Sequence, residues 1–275
     1  MKRTSKYALR LQYVLGWIAV FFLAPLTFIA LKAMGYRIKN LQQLRSQVRT
    51  AMGEHRGGWI ICANHLTMID SVILAYAIMP LRHYVRHFRE MPWNLPERAN
   101  FQKNIVLTIL CYLSKCIPIS RGGDRIKMKE TMEKCIHLLN NGSNLLIFPE
   151  GGRTRTGRVD RDSFSYGAGR LAQKSEHCRI LCVFLRGIGQ ECYSAIPRHG
   201  ETFLGEAVSF IPDDVAGGLK GQRELARQIV EILAAMEEEW FSRVKGLRYH
   251  HMSTSTEDKK YRRRYRTEGA GFHKA

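Results

Sequence analysis

Residues 59–79 read Trp59-Ile60-Ile61-Cys62-Ala63, then Asn64-His65-Leu66-Thr67-Met68-Ile69, then Asp70-Ser71-Val72-Ile73-Leu74-Ala75-Tyr76-Ala77-Ile78-Met79. A short apolar run reads as a buried strand, the break after it as a loop, and the longer apolar stretch from Asp70 as a helix. Leu145–Phe148 is a second compact strand, Ile180–Leu185 a third, and Ala207–Ile211 a fourth. Arg82–Val85 reads as a further strand. Helical patterns lie between. Residues 124–140 place Ile126, Met132, Cys135, Ile136 and Leu139 on one face, with Asp124 as a cap and Gly142 as a stop. Residues 222–241 carry the stripe Leu225, Ile229, Ile232, Leu233, Met236 and Trp240. Residues 37–56 read as a short helix and connector, and 104–114 as an apolar helix or membrane-facing segment. Strands alternating with helices predict an α/β class, a single domain with a central mixed, largely parallel sheet flanked by helices.

The chain has 275 residues, 45% of them hydrophobic, enough for a sizeable core. Its net charge of +19 sits mostly at the two ends: residues 1–40 hold seven basic and no acidic residues, and residues 243–275 hold ten basic against three acidic. Basic ends suit an anionic surface such as a membrane leaflet or nucleic acid. The seven cysteines (Cys62, Cys111, Cys116, Cys135, Cys178, Cys182, Cys192) are odd in number and never spaced CxxC, so a disulfide-stapled secreted module is disfavoured and a reducing compartment expected.

Tyr13 to Leu31 is a run of 19 residues without a charge. As a helix it reaches ~28 Å, near the thickness of a bilayer's hydrocarbon. It has no convincing cleavage site for a signal peptide. Basic residues flank both ends, so charge selects no orientation. Pro25 would kink or split a helix there, leaving a single span and a re-entrant hairpin both open. The expected organisation is a membrane anchor over 1–36, an α/β domain over 37–245 and a basic flexible tail over 246–275.

Three blocks carry candidate chemistry. His65 and Asp70 would stand ~140° apart on a regular helix. They can meet only if His65 lies on the loop and Asp70 in the first turn of the helix. Thr67 with Asp70 three later has the spacing of a capping box that would make that turn. A carboxylate on one imidazole nitrogen leaves the other as a general base; the ordinary alternative is a helix cap beside a polar loop histidine. The second block is Phe148-Pro149-Glu150-Gly151-Gly152-Arg153-Thr154-Arg155-Thr156-Gly157, in which Pro149 ends a strand, glycines allow close backbone approach, and Arg153 and Arg155 offer forks for phosphate. The third is Ile117-Pro118-Ile119-Ser120-Arg121, a short strand running into an arginine.

Together these blocks resemble the glycerolipid and lysophospholipid acyltransferase superfamily over roughly residues 50–210. Asn64, His65 and Asp70 match its Asn-His-x4-Asp block, Arg121 its second, and Phe148, Pro149, Glu150, Gly151 and Arg153 its third. The resemblance implies His65 and Asp70 as the catalytic pair, with Asn64, Arg121, Glu150, Gly151, Arg153 and Arg155 around the substrate. It implies an acyl thioester donor (acyl-CoA or acyl carrier protein, with no further cofactor and no metal) and a lysophospholipid acceptor, most simply 1-acylglycerol-3-phosphate. Anionic membrane lipid is the expected partner, and a membrane the expected location, with the site on the cytoplasmic face. The chain departs from the pattern at Leu66, Thr67 and Gly152, and its fourth block, Ile180-Leu181-Cys182-Val183, lacks the usual proline. Lys115–Gly122 and Gly167–Leu171 look somewhat like the tafazzin branch of transacylases.

Other readings remain in view at this level. They are a transacylase, transfer to a phosphate-free lysolipid, a Cys62 nucleophile, a metal on His250-His251, and a lipid-binding relative without catalysis. From another class, the tail Lys259–Arg266 alternates cations with tyrosines, a pattern that would suit nucleic acid, but contact with anionic lipid or a solvated tail is the expected role and no nucleic-acid partner is expected. A serine hydrolase is disfavoured by the lack of GxSxG.

Overall fold

The computed structural model describes residues 3–100, 104–120, 124–153, 156–190, 196–212, 215 and 217–254, with backbone alone over 246–254. The chain divides into two units, Met1–Met236 and Glu237–Ala275.

The first unit holds a six-stranded sheet. Its strands are β1 (Arg37–Ile38), β2 (Trp59–Ala63), β3 (Trp93–Asn94), β4 (Leu145–Ile147), β5 (Arg179–Gly187) and β6 (Thr202–Phe210), in the order β1-β6-β5-β2-β4-β3. Only β5 and β6 pair antiparallel; all other neighbours are parallel. β2 lies between β4 and β5 and is buried along its whole length, the expected state of a strand in a sheet covered on both faces. Trp59, Ile61 and Ala63 face one core, together with residues of α1 (Arg3–Ala33), α2 (Leu41–Gly53), α3 (Asp70–Ile78) and α4 (Leu81–Arg86). Ile60 and Cys62 alternate to the other face, where α7 (Gly167–Lys174) reaches β2. A Cβ on Gly169 of α7 would stand 2.0 Å from the Gln222 carbonyl, so glycine lets α7 lie against the start of α8 (Gly218–Thr254).

The α/β expectation holds, with local corrections. Arg82–Val85 is not a strand but part of helix α4: Pro80 opens the turn, His83 N–H donates to Pro80 O at 2.9 Å, and the Tyr84 hydroxyl bonds Ala75 O at 2.8 Å, folding α4 back on α3. A four-residue run cannot by itself separate strand from helix. Helix α6 (Arg125–Asn140) is capped by Asp124 as expected, but it buries Met132, Cys135, Leu138 and Leu139 and leaves Ile126 exposed. Helix α8 continues to Thr254, into the stretch expected to be tail; residues 255–275, with Lys259–Arg266, lie outside those described.

The uncharged N-terminal run forms one continuous helix through Pro25, so the hairpin alternative is not formed. One stripe of α1 (Leu9, Gln12, Gly16, Val20, Phe28, Leu31) is buried, while Trp17, Phe22, Leu26 and Ile29 are among its exposed apolar residues. Gln12 donates from Nε2 to Tyr112 O and Cys116 O, both at 2.9 Å. A Cβ on Gly16 would stand 2.7 Å from Leu113 O. These contacts seat α1 on the C-terminus of α5 (Ile105–Leu113), a helix with no buried residue.

That terminus is closed unusually. Cys116 N–H bonds Cys111 O at 3.0 Å around Lys115, whose φ is 56°. This is the Schellman arrangement, in which glycine is the common residue at the left-handed position. Lys115 is held there by its own Nζ, which is fully buried and donates to the carbonyls of Phe88 (3.1 Å), Arg89 (3.3 Å) and Met91 (2.5 Å). The rings of Phe88, Trp93 and Tyr13 surround it at 4.8, 5.3 and 5.5 Å.

Burial, with Arg89 adding repulsion, pushes Lys115 from 10.5 down to about 7. Between those values the unfolded chain holds a proton that the folded chain has released, so this group makes stability rise with pH from about 7 to about 10.5. The slope from one group is at most about 1.4 kcal/mol per pH unit. Urea midpoints of wild type and Lys115→Met, compared between pH 7 and 9.5, are expected to diverge as pH increases, the wild type gaining relative to the variant. Parallel profiles would remove Lys115 as the source.

Candidate active site

The parallel pairing of β2 and β4 runs Ile60 with Leu145 and Cys62 with Ile147. Continued past the strand ends, this register brings His65 level with Glu150. The two meet: His65 N–H donates to Glu150 Oε1 at 2.9 Å. The site thus forms beyond the carboxyl ends of β2 and β4, at the point where consecutive parallel strands fall on opposite sides of β2, which is where open α/β sheets place their ligands.

His65 lies on the loop and Asp70 is the first residue of α3, as the sequence geometry requires. His65 Nδ1 stands 2.9 Å from Asp70 Oδ2. The same oxygen accepts from Leu66 N–H (2.6 Å) and Thr67 N–H (2.8 Å), and the Thr67 hydroxyl donates to Asp70 Oδ1. The capping box does not form: α3 begins at Asp70 with Ile69 as its N-cap and no side-chain cap bond, and Thr67 instead donates from its hydroxyl to the Asp70 carboxylate. Four donors converge on Asp70, which fixes it and thereby fixes the imidazole. Phe148 stacks on that imidazole, with centroids 4.2 Å apart and planes 20° from parallel. With Nδ1 engaged as donor to the carboxylate, Nε2 is the nitrogen left to accept a proton.

Asn64 is buried, and its amide clasps the backbone of Leu185 in β5: Nδ2 donates to Leu185 O at 3.1 Å, and Leu185 N–H donates to Oδ1 at 2.9 Å. Its side chain is thus a strut between β2 and β5. Glu150 likewise bonds the backbone of the His65 loop. Gly151 has φ of 70°, and its N–H turns back to Phe148 O at 3.0 Å. Among the described residues nothing lies within 4 Å of where a Gly152 Cβ would stand. Arg153 is half-buried on the same loop, while Arg155 lies outside the described residues. The third block runs as an edge ribbon, bridged in parallel through Asn94 with Cys116 and Glu97 with Ile119, so that Ser120 leads in the direction of the other strand ends. Arg121, which follows, lies outside the described residues.

The fourth block lies inside β5, paired on both sides with β2 and β6. A proline there would delete a ladder donor, and this chain keeps the ladder whole. Cys62 is fully buried, and burial together with Cys182 and Cys178 pushes its thiol well up, which removes it as a nucleophile. Cys192 lies outside the described residues; the six described cysteines are free.

The acyltransferase family profile matches residues 36–186, more than half of the chain. The chain belongs to the acyltransferase family. No curated protein matches this acyltransferase by sequence. Among solved structures it is similar to the 1-acyl-sn-glycerophosphate (LPA) acyltransferase PlsC from Thermotoga maritima, at 15% identity over 86% of this chain and 97% of that one, with a TM-score of 0.49.

Phe148 matches the third block, but its role as the stacking partner of His65 is not read from sequence. One further residue near the site is not singled out there. Arg186 is a fully buried charge at the end of an apolar run, and a charge in such a run was the available signal.

For the pair itself, Asp70→Asn is expected to lower turnover by about 10²–10⁴, the scale seen when an imidazole's carboxylate partner is replaced by an amide. Thr67→Val removes one of four donors and is expected to lower it by about tenfold or less. Single-turnover rates on folded, matched samples check both; equal rates for Asp70→Asn and wild type would remove the pair as the catalytic unit.

Proposed function

We propose that this acyltransferase moves a fatty acyl group from an acyl thioester to the free hydroxyl of a membrane lysophospholipid, with 1-acylglycerol-3-phosphate the acceptor its residues suit best. The observation that carries this reading is the His65–Asp70 pair, 2.9 Å apart, set by the strand register beside the loop that bears Arg153.

The chemistry follows from that placement. His65 Nε2 takes the proton of the acceptor hydroxyl as the oxygen attacks the thioester carbonyl, forming the new C–O bond. Asp70 stabilises the imidazolium that results. Collapse of the tetrahedral intermediate breaks the C–S bond, and the departing thiolate sulfur takes the proton back from Nε2. No covalent bond to the enzyme is needed. Arg153, joined by Arg155 and Arg121 on the motif match, would hold the acceptor's phosphate, where a planar fork gives both charge and orientation.

Acceptors of this kind reside in a bilayer, and the exposed apolar residues suit one. Phe22 and Leu26 on α1 are 75% and 65% exposed, and Ile105 on α5 is 71% exposed. Because α1 is packed on the domain from Leu9 to Leu31, the membrane contact favoured is a helix lying in the interface rather than crossing it. A cytoplasmic face is favoured by the donor, which is made inside cells.

Purified protein in detergent, offered acyl-CoA or acyl carrier protein with a panel of lysolipids, tests the reaction by mass spectrometry of the products. Wild type is expected to make diacyl product from the phosphate-bearing acceptor, and His65→Ala to lose at least about 10³ in rate, within the range expected of a general base and its partner. Arg153→Ala is expected to raise the acceptor's KM by about 10- to 100-fold with kcat little changed, the effect of losing a charged hydrogen bond made equally in ground and transition states. Product from His65→Ala would overturn the base assignment; use of phosphate-free acceptors alone would overturn the acceptor class.

Membrane contact is a separate test. Flotation with vesicles containing anionic lipid is expected to capture wild type and to release Phe22→Asp/Leu26→Asp by about tenfold or more. Equal flotation of the two would remove α1 as the contact.

A further inference from the structure

Arg186, next to last in β5, is 2% exposed. Its Nε and Nη2 both donate to Gln190 O, at 3.1 and 2.8 Å, and its Nη1 donates to Gly157 O. Gln190 belongs to the turn after β5. Gly157, with φ of 67°, belongs to the loop between β4 and α7, the loop that starts at Pro149 and carries Arg153. The neighbouring residue, Leu185, is the one that clasps the Asn64 amide. Two consecutive residues of one strand therefore tie down both halves of the site, Leu185 the His65 loop and Arg186 the Arg153 loop.

The loop needs such an anchor. Gly151 and Gly152 begin it, no described atom lies within 4 Å of where a Gly152 Cβ would stand, and glycine backbone has little stiffness of its own. Its start is held by Gly151 N–H on Phe148 O and by Ser165 N–H on Pro149 O, at 3.0 and 2.8 Å. The Gly157 end is held by the guanidinium. Burying that guanidinium is costly, and an apolar residue of similar volume would fill the strand end without that cost. What the guanidinium supplies is a rigid fork that spans two segments, which a lysine ammonium cannot reproduce.

We propose that Arg186 is a positioning residue for acceptor binding. It fixes the Gly157 end of the loop that carries Arg153 and thereby limits how far Arg153 can move relative to His65. The inference rests on the phosphate-bearing acceptor named above.

The test is a double-mutant cycle read as KM against kcat. Arg186→Lys is expected to raise the acceptor's KM about tenfold, leaving the donor's KM and the unfolding midpoint close to wild type. In an Arg153→Ala background the same change is expected to add less than twofold, because the residue it positions is gone. Gly157→Ala, which strains the accepting turn from the loop side, is expected to give the same acceptor-specific, non-additive signature and does not disturb β5. Hydrogen exchange over 151–158 is expected to quicken in Arg186→Lys, with no substrate present. An unchanged acceptor KM in both variants overturns the inference, as does an increase that adds fully to that of Arg153→Ala. A wild type that ignores phosphate-bearing acceptors overturns the functional reading instead, and unchanged exchange over 151–158 would then overturn the anchoring role as well.

Discussion

The hydrogen bond from the His65 backbone N–H to Glu150 is where two separate segments become one site, and it exists because β2 and β4 pair in one register. A slip of a single residue would set His65 opposite Gly151 and reverse every side chain of β2 between its two faces. The slip is opposed from both sides, since β2 is paired with β5 as well as β4 and all five of its residues are buried. A hydrogen bond to a charged group contributes about 1.5–3 kcal/mol. That is small beside the burial of two cores, so the sheet sets the site rather than the reverse. The loop after β2 is tied to β4 by Glu150, to β5 by Asn64 and to α3 by Asp70. Phe148 then leaves the imidazole little freedom to turn about its Nδ1 bond.

Much of this was legible in sequence because it is local. The apolar runs at 59–63 and 145–148 sit where strands form, and the helical angle between His65 and Asp70 already required a loop histidine and a first-turn aspartate. What was not legible depends on neighbours distant in sequence. The strands at Arg37–Ile38 and Trp93–Asn94 are too short to show a period, and only their partners make them strands. Arg82–Val85 has a strand's composition, and Pro80 with the Tyr84–Ala75 bond turned it into a helix. The partner of Glu150 follows from the register, which requires knowing that β4 lies beside β2. Lys115 and Arg186 look like surface cations when read singly; their burial is decided by carbonyls from elsewhere in the chain.

The N-terminal run shows the limit of hydropathy as a guide. Nineteen uncharged residues satisfy the length of a bilayer, yet Gly16 within that run and Gln12 just before it belong to a stripe of the helix that packs on protein. The amide of Gln12 is matched to two carbonyls, and the missing side chain of Gly16 admits a third. The Gln12 amide would be unsatisfied against lipid and is satisfied here, and the close approach at Gly16 fits a helix packed on protein. The apolar residues on the other side remain exposed. Such a two-sided helix suits the interface of a membrane better than its interior, since a span would carry the packed face of the domain into hydrocarbon.

Seen from α1, the edge of the sheet gains a further meaning. Gln12 bonds the carbonyl of Cys116, Lys115 draws the carbonyls of Phe88, Arg89 and Met91 to the same point, and from Cys116 the edge ribbon runs beside β3 toward Ser120 and the arginine block. The segment from the helix contact to the start of that block is only Cys116 to Ser120, bridged at both Cys116 and Ile119, and so has little slack. On the proposed reading, a lysolipid offers its hydroxyl and phosphate at a depth set by the bilayer, not by the enzyme. An enzyme that must meet them there gains from a stiff strut between the surface that touches lipid and the rim that binds phosphate. Lys115, buried at a backbone position usually left to glycine, is the residue that stiffens the junction.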